Sequence, residues 1–305
     1  MRKAFAEEIT NYAREVSNIV LLSGDIGNKM FDEFKEIAPN RFFNCGIAES
    51  NMMSVASGMA LSGLKPIIYT ITPFTTLRCL EQIKIGAAYH DAPIIIVGTG
   101  SGLSYAELGA THHSLDDIAI LRAIPNIKIL APCDSNELRA FLKQSIDSKG
   151  PTYIRIGKKG EPIITNYSNN SRIGEANILC EGDDNLVIGI GPILSEAIKA
   201  AKKTLENGKS TCIISMGAIK PLDEKILFKM SERNFKKWII LEEHSKIGGL
   251  SSAILEWKED NDVQTPKIKR FGSKDEFLHN LGKQDYLRRI VGLDSDSIFR
   301  ELNHD

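Results

Sequence analysis

Short runs of β-branched and other apolar residues alternate with longer stretches of helical period from one end of the chain to the other. That alternation is the pattern of parallel sheets covered by helices. In a first series it predicts strands at 18–22, 66–70, 93–98, 127–131 and 152–156, with helices at 3–16, 48–61, 75–89, 115–123 and 135–145. From 158 to 174 the run KKGEPIITNYSNNSRIG has neither period and is rich in turn formers, so a linker or traversing arm is expected there. A second series predicts strands at 185–189, 211–215, 238–242 and 267–271, interleaved with helices at 195–205, 223–231 and 249–257 and short ones after 273. The expected fold class is α/β in two domains: a doubly wound, mainly parallel sheet over 1–160, a linker over 161–178, and a smaller α/β domain over 179–305. The acidic EGDDN at 181–185 reads as a turn before a strand rather than as a metal motif.

Composition narrows the function classes. With 42% hydrophobic and 25% charged residues the chain has the make-up of a soluble globular protein, and a net charge of -1 gives no electrostatic footprint for nucleic acid. Cys45, Cys79, Cys133, Cys180 and Cys212 are odd in number, far apart and never in a CxxC pair, so reduced thiols are expected. The first residues, MRKAFAEEITNYAREV, are charged throughout, and no stretch stays apolar long enough to span a bilayer. The expected location is the cytoplasm, with no membrane or nucleic-acid partner.

The run that carries chemistry is 41–61, RFFNCGIAESNMMSVASGMAL, where an acidic residue stands in the first turn of an apolar, small-residue helix. A carboxylate favoured by the helix dipole would look the same, so the residues alone leave structural and catalytic readings of Glu49 open. Ser54, Ala56, Ser57, Gly58 and Ala60 suit close backbone approach, in a core or at a subunit interface. The run resembles the transketolase signature in which a Gly-Ile-Ala/Arg-Glu block precedes a small-residue helix. SGDIG at 23–27, PFTTLRCLEQI at 73–83, GATHHSLDDIAILRAIPNIKILAPCD at 109–134 and TYIRIGKKGEP at 152–162 follow in that family's order and approximate spacing. IKPLD at 219–223 and EEHSKIGGLSSAI at 242–254 resemble the family's last domain.

The resemblance spans the chain but covers the pyrimidine-binding and C-terminal domains of a full transketolase and not its diphosphate-binding domain. The Gly-Asp-Gly motif and downstream Asn that hold the divalent metal are missing from it. It therefore implies a split enzyme: thiamine diphosphate as cofactor, Mg2+ held by ligands of a separate N-terminal subunit, and a dimer of heterodimers. Glu49 is implied at N1′ of the aminopyrimidine, where a carboxyl stabilises the imino tautomer whose 4′-imine removes the thiazolium C2 proton. Phe74 is implied to stack on the pyrimidine, though alone it reads equally as a core residue. Asp25 is implied near the cofactor, though a turn aspartate looks the same.

His112 matches the family's substrate-channel histidine and would move protons at substrate hydroxyls, with His113 beside it the weaker candidate. Arg155 and Arg2 match phosphate-binding arginines, which as isolated residues would read as solvated surface charge. Lys29 stands where the family often has a serine on the same phosphate. Two further departures are Leu108, in place of an aspartate that reads donor stereochemistry, and Gly100, in place of a histidine; both point to a non-standard ketose or acceptor. The resemblance implies transfer of a two-carbon ketol unit from a phosphorylated ketose to an aldose. The alternatives are the β subunit of a 2-oxo acid dehydrogenase, a deoxyxylulose-phosphate-synthase-like reaction, and, in another class, a non-catalytic interaction subunit.

Overall fold

The structure, a computed structural model, describes residues 1–27, 29–166 and 171–304. Part of the expected linker, 167–170, lies outside the described residues. Twelve strands are found among them: β1 Ile19–Ser23, β2 Phe42–Asn44, β3 Lys65–Ile71, β4 Ile95–Thr99, β5 Lys128–Leu130, β6 Thr152–Ile156, β7 Asn177–Cys180, β8 Asn185–Gly189, β9 Thr211–Ser215, β10 Ala218–Lys220, β11 Lys237–Ser245 and β12 Ile268–Ser273. They form two sheets, ordered β10-β5-β6-β4-β3-β1-β2 and β12-β11-β8-β9-β7. Pairing is parallel throughout except at β10, antiparallel to β5, and β7, antiparallel to β9.

β1, β4, β6, β8 and β9 are buried along their whole length. This is why they read as continuous apolar runs rather than alternating ones. Pro66 is tolerated in central β3 because pairing with β4 begins only at Ile67. Helix Arg2–Glu15 is closed by Arg41, whose guanidinium donates to the carbonyls of Ala13 at 2.7 Å and Val16 at 2.9 Å. Helix Ser135–Asp147 begins on Asp134, whose Oδ1 accepts from the amides of Asn136 and Glu137 while Oδ2 accepts from those of Ile164 and Thr165. One carboxylate thus caps a helix and fixes the segment leaving the first sheet.

Three short strands fall outside the periodicity. β2 and β10 have three residues each, too few to show a period, and β7 begins inside the expected linker. β10 follows β9 in the chain yet pairs in the first sheet, so the second half of the chain completes the edge of the first. A single apolar cluster also crosses between the sheets, joining Ile68, Ile96 and Ile129 to Leu186, Trp238 and Ile240.

The expected helix at 75–89 is a correction. The segment runs instead through Thr72–Thr75, a 3-10 turn at Leu77–Cys79, Leu80–Gln82 and a π-helical stretch Ile83–Tyr89. The Thr75 and Thr76 hydroxyls both donate back to the Thr72 carbonyl, at 2.9 and 2.8 Å. Such local bonds compete with a regular helix.

Candidate active site

The carboxyl ends of parallel strands gather loops into a crevice, and the residues singled out above lie there. Asn44, ending β2, folds its Oδ1 onto the Gly46 amide at 2.9 Å, and Gly46 takes a φ of +68°, which delivers Glu49 to the first position of helix Glu49–Leu61. Glu49 is 3% exposed and paired at 2.7 Å with Arg78, which comes from the broken segment after β3. The Arg78 guanidinium lies 4.2 Å from the Phe74 ring centroid. Phe74 in turn meets His112 edge to face, centroids 5.3 Å apart, and His112 meets Tyr105 at 5.9 Å. Glu49, Phe74 and His112, separate in sequence, therefore stand in one row.

Arg78 was not among the residues the sequence singled out, because its role appears only when two loops 29 positions apart meet. Burial, with Glu49 next in influence, pushes the Cys79 thiol up to about 12, so it stays protonated and inert beneath the row. Burial first, and the charge of His113 second, lower the His112 pKa, so its imidazole is neutral at pH 7. Its Nδ1 shares a proton with the Thr111 hydroxyl at 2.9 Å. His113 is turned inward, its Nε2 3.3 Å from the Ala106 carbonyl.

Gly100 has a reason in the structure. Its φ is +80°, and a Cβ there would collide with the Tyr105 ring. The ring occupies the place a side chain at 100 would need. The Lys158 ammonium lies over the other side of the site, 4.5 Å from the same ring, and pairs with Glu107 at 2.8 Å. Lys158 also lines a cleft of about 500 Å³ with Arg2, Lys29 and Lys159. The row from Glu49 to Tyr105 thus leads to a cleft in which five basic side chains, Lys3 included, outnumber the two acidic ones, Glu7 and Glu33. Arg2 donates through Nε to the Tyr69 hydroxyl at 3.0 Å. Leu108 is exposed on the loop that carries His112.

Arg155 is a correction. Its guanidinium is 3% exposed and faces inward, with Nε on Asp117 at 2.7 Å and Nη2 on the carbonyls of Ser114 and Glu243 at 2.8 and 2.9 Å. It holds loops together and presents no fork to a phosphate. Asp25 is exposed and accepts from Asn44 at 3.1 Å, at the rim rather than in the row.

A flat heterocycle fits this row. A nearly buried carboxylate has one charged partner, which reaches in across the adjoining phenyl face on a side chain 42% exposed. For a metal the position differs: among the described residues no group of three or more His, Cys, Asp or Glu side chains is placed to hold an ion.

The family model for the transketolase pyrimidine-binding domain matches residues 1–161, and that for the transketolase C-terminal domain matches 174–298. A transketolase C-terminal section of Methanocaldococcus jannaschii is 35% identical over 99% of this chain and 95% of its own length. One subunit of an apulose-4-phosphate transketolase of Phocaeicola vulgatus is 33% identical over 97% of this chain and 94% of its own. A 1-deoxy-D-xylulose-5-phosphate synthase of Halothermothrix orenii is 37% identical over 87% of this chain, but the match covers 41% of that protein. Among solved structures, a split-gene transketolase in an inactive β4 tetramer superposes with a TM-score of 0.90 at 28% identity, covering 99% of this chain and 96% of that one.

Proposed function

Since this chain belongs to the transketolase family, we propose that it is the C-terminal subunit of a split transketolase that moves a two-carbon ketol unit from a phosphorylated ketose to an aldose. The relatives matched along nearly their full length are a transketolase C-terminal section and a single transketolase subunit, whereas the synthase match covers less than half of a longer chain. In this reading thiamine diphosphate binds across the interface with a separate N-terminal subunit, which supplies the ligands of its Mg2+, in a dimer of heterodimers. The location is cytoplasmic; among the described residues no helix is long and apolar enough to cross a membrane.

The observation that carries the reading is the row Glu49, Arg78, Phe74 and His112. When bound, thiamine diphosphate supplies a carbon nucleophile for a ketose carbonyl. Glu49 holds the proton at the aminopyrimidine N1′ from a site that water barely reaches, where a carboxyl–nitrogen hydrogen bond is strong. Phe74 gives the ring a face to lie on once Arg78 has swung toward solvent. The neutral His112 imidazole accepts a proton from a substrate hydroxyl as the carbon–carbon bond breaks and returns it to the product. Arg2, Lys29, Lys158 and Lys159 receive the anionic end of the sugar in the cleft they line.

The test is co-purification with the N-terminal subunit, followed by a donor and acceptor screen with thiamine diphosphate and Mg2+. Ketol transfer is expected, and Glu49→Gln should reduce it at least 100-fold in a complex that still assembles. An assembled complex inactive on every ketose, or a Glu49→Gln enzyme with near wild-type turnover, would sink the proposal.

A further inference from the structure

His112 sits near the end of a loop whose neck is narrow. Gly102 and Ser114 exchange backbone hydrogen bonds, at 3.1 Å from the Gly102 amide and 2.9 Å from the Ser114 amide. Residues 103–113 therefore leave and return at one point, carrying Tyr105 and His112 between. Within the loop the His112 and His113 amides donate to the Gly109 carbonyl, while Glu107, Leu108, Ala110 and Thr111 are exposed. Besides the neck, the loop is held by buried Leu103 and Ala106 and by the Glu107–Lys158 pair, while among the described residues its His112 end is tied only within the loop and to Phe74.

The grip on that neck comes from the second half of the chain. Glu243, near the end of β11, is 5% exposed, and its Oε1 accepts from the Leu103 amide and from Gln284 Nε2, both at 2.8 Å. Its Oε2 is ion-paired to Nε of buried Arg288, and its carbonyl receives Nη2 of Arg155, the same nitrogen that holds the Ser114 carbonyl. The next strand residue but one, Ser245, donates its amide to the Leu115 carbonyl at 2.7 Å. Gly102 adopts a φ of +61°, and a Cβ there would lie 2.5 Å from Glu243 Oε1, so the neck and the carboxylate are fitted to each other. Leu103 and Ala106 then pack on Leu278 and Leu287.

We propose that Glu243 is a positioning residue for His112, so that the second domain sets the turnover of a site it does not enter. The inference rests on the role given to His112 above. A buried carboxylate locked by Arg288 and Gln284 has one orientation, and through the Leu103 amide it gives the loop one as well. Misplacement of a reacting group by about 1 Å is enough to cost on the order of 10²-fold in rate.

The experiment is a double-mutant cycle on the assembled, cofactor-loaded complex, with hydrogen exchange beside it. Glu243→Gln should lower kcat 10- to 100-fold with KM for the ketose changed less than threefold, and Gln284→Ala, which removes the bond to Glu243 and a longer one to Ser104 of the loop at a partly exposed position, should lower it two- to fivefold. In a His112→Ala background neither should reduce kcat further, because effects acting through one group do not add. The amides of 103–113 should exchange at least tenfold faster in both variants, with those of β8 unchanged. Additive losses in the His112→Ala background, or exchange in the loop unaltered, would overturn the clamp. Wild-type turnover by His112→Ala would instead remove the role given to His112, and the exchange measurement then decides on the clamp alone. If Glu243→Gln does not fold, Gln284→Ala carries both readouts.

Discussion

In the proposed function His112 moves protons and Lys158 reads charge, and each role can be tested singly. The His112 pKa lies below the ordinary histidine value through burial and then through His113, so the imidazole becomes protonated only as the pH falls below the usual range. The acid limb of kcat/KM is therefore expected below about pH 6.5. His113→Asn, which removes the second cause, should move that limb to higher pH in a pH–rate profile; an unmoved limb would separate it from His112. Lys158→Ala should raise KM about tenfold for a phosphorylated acceptor, the equivalent of about 1.4 kcal/mol, and leave KM for the neutral aldehyde unchanged. Equal effects on both acceptors would place Lys158 outside the anion's reach. Glu49, Phe74 and His112, which the structure brings together, were singled out through the family resemblance of the runs that carry them, since the residues alone left their readings open. Arg78 and Tyr105 were not, since what they do depends on loops that meet only in space.

The elements around Asp117 and Arg155 show the same limit from the other side. Arg155 ends a strand, where sequence alone cannot tell an outward guanidinium from an inward one, and its partner is 38 positions away. Burial opposes ionisation of Asp117, but Arg155 and His244, with hydrogen bonds from Arg155 and Tyr153, outweigh it and hold its carboxyl below the usual range. A folded pKa below the unfolded one gives stability that is present above the unfolded pKa and lost as the pH falls through the folded one. Asp117→Ala should cost about 3–5 kcal/mol, because it leaves a buried guanidinium without its counter-charge. The urea midpoint measures this; a loss under about 1 kcal/mol, the range of an exposed pair, would contradict the burial. Among the described residues nine of the twelve strands were legible from their apolar runs, all but β2, β7 and β10, as was the helix after Asp134 from its period. The broken segment 72–89 was not, because Thr75 and Thr76 both spend their hydroxyls on the Thr72 carbonyl in a way no periodicity reports.

At the scale of the molecule, the two halves share an edge strand, an apolar cluster and the ties from Arg155 and Glu243, so they should unfold together. Trp238 and Trp257, the two tryptophans, both lie in the second half, whereas far-ultraviolet circular dichroism reports on both. Coincident urea transitions by the two probes are expected, and two separated midpoints would show independent halves. The arrangement also has a consequence for synthesis on the ribosome. When β6 has been made at Ile156, the side of β5 that β10 will cover is still an unpaired strand edge, and it remains so until Lys220 has been added. At ~5–20 residues per second that interval is roughly 3–13 s. For that time the nascent first sheet offers a template to any passing strand, which makes this boundary the place where a chaperone or a pause in translation would matter most.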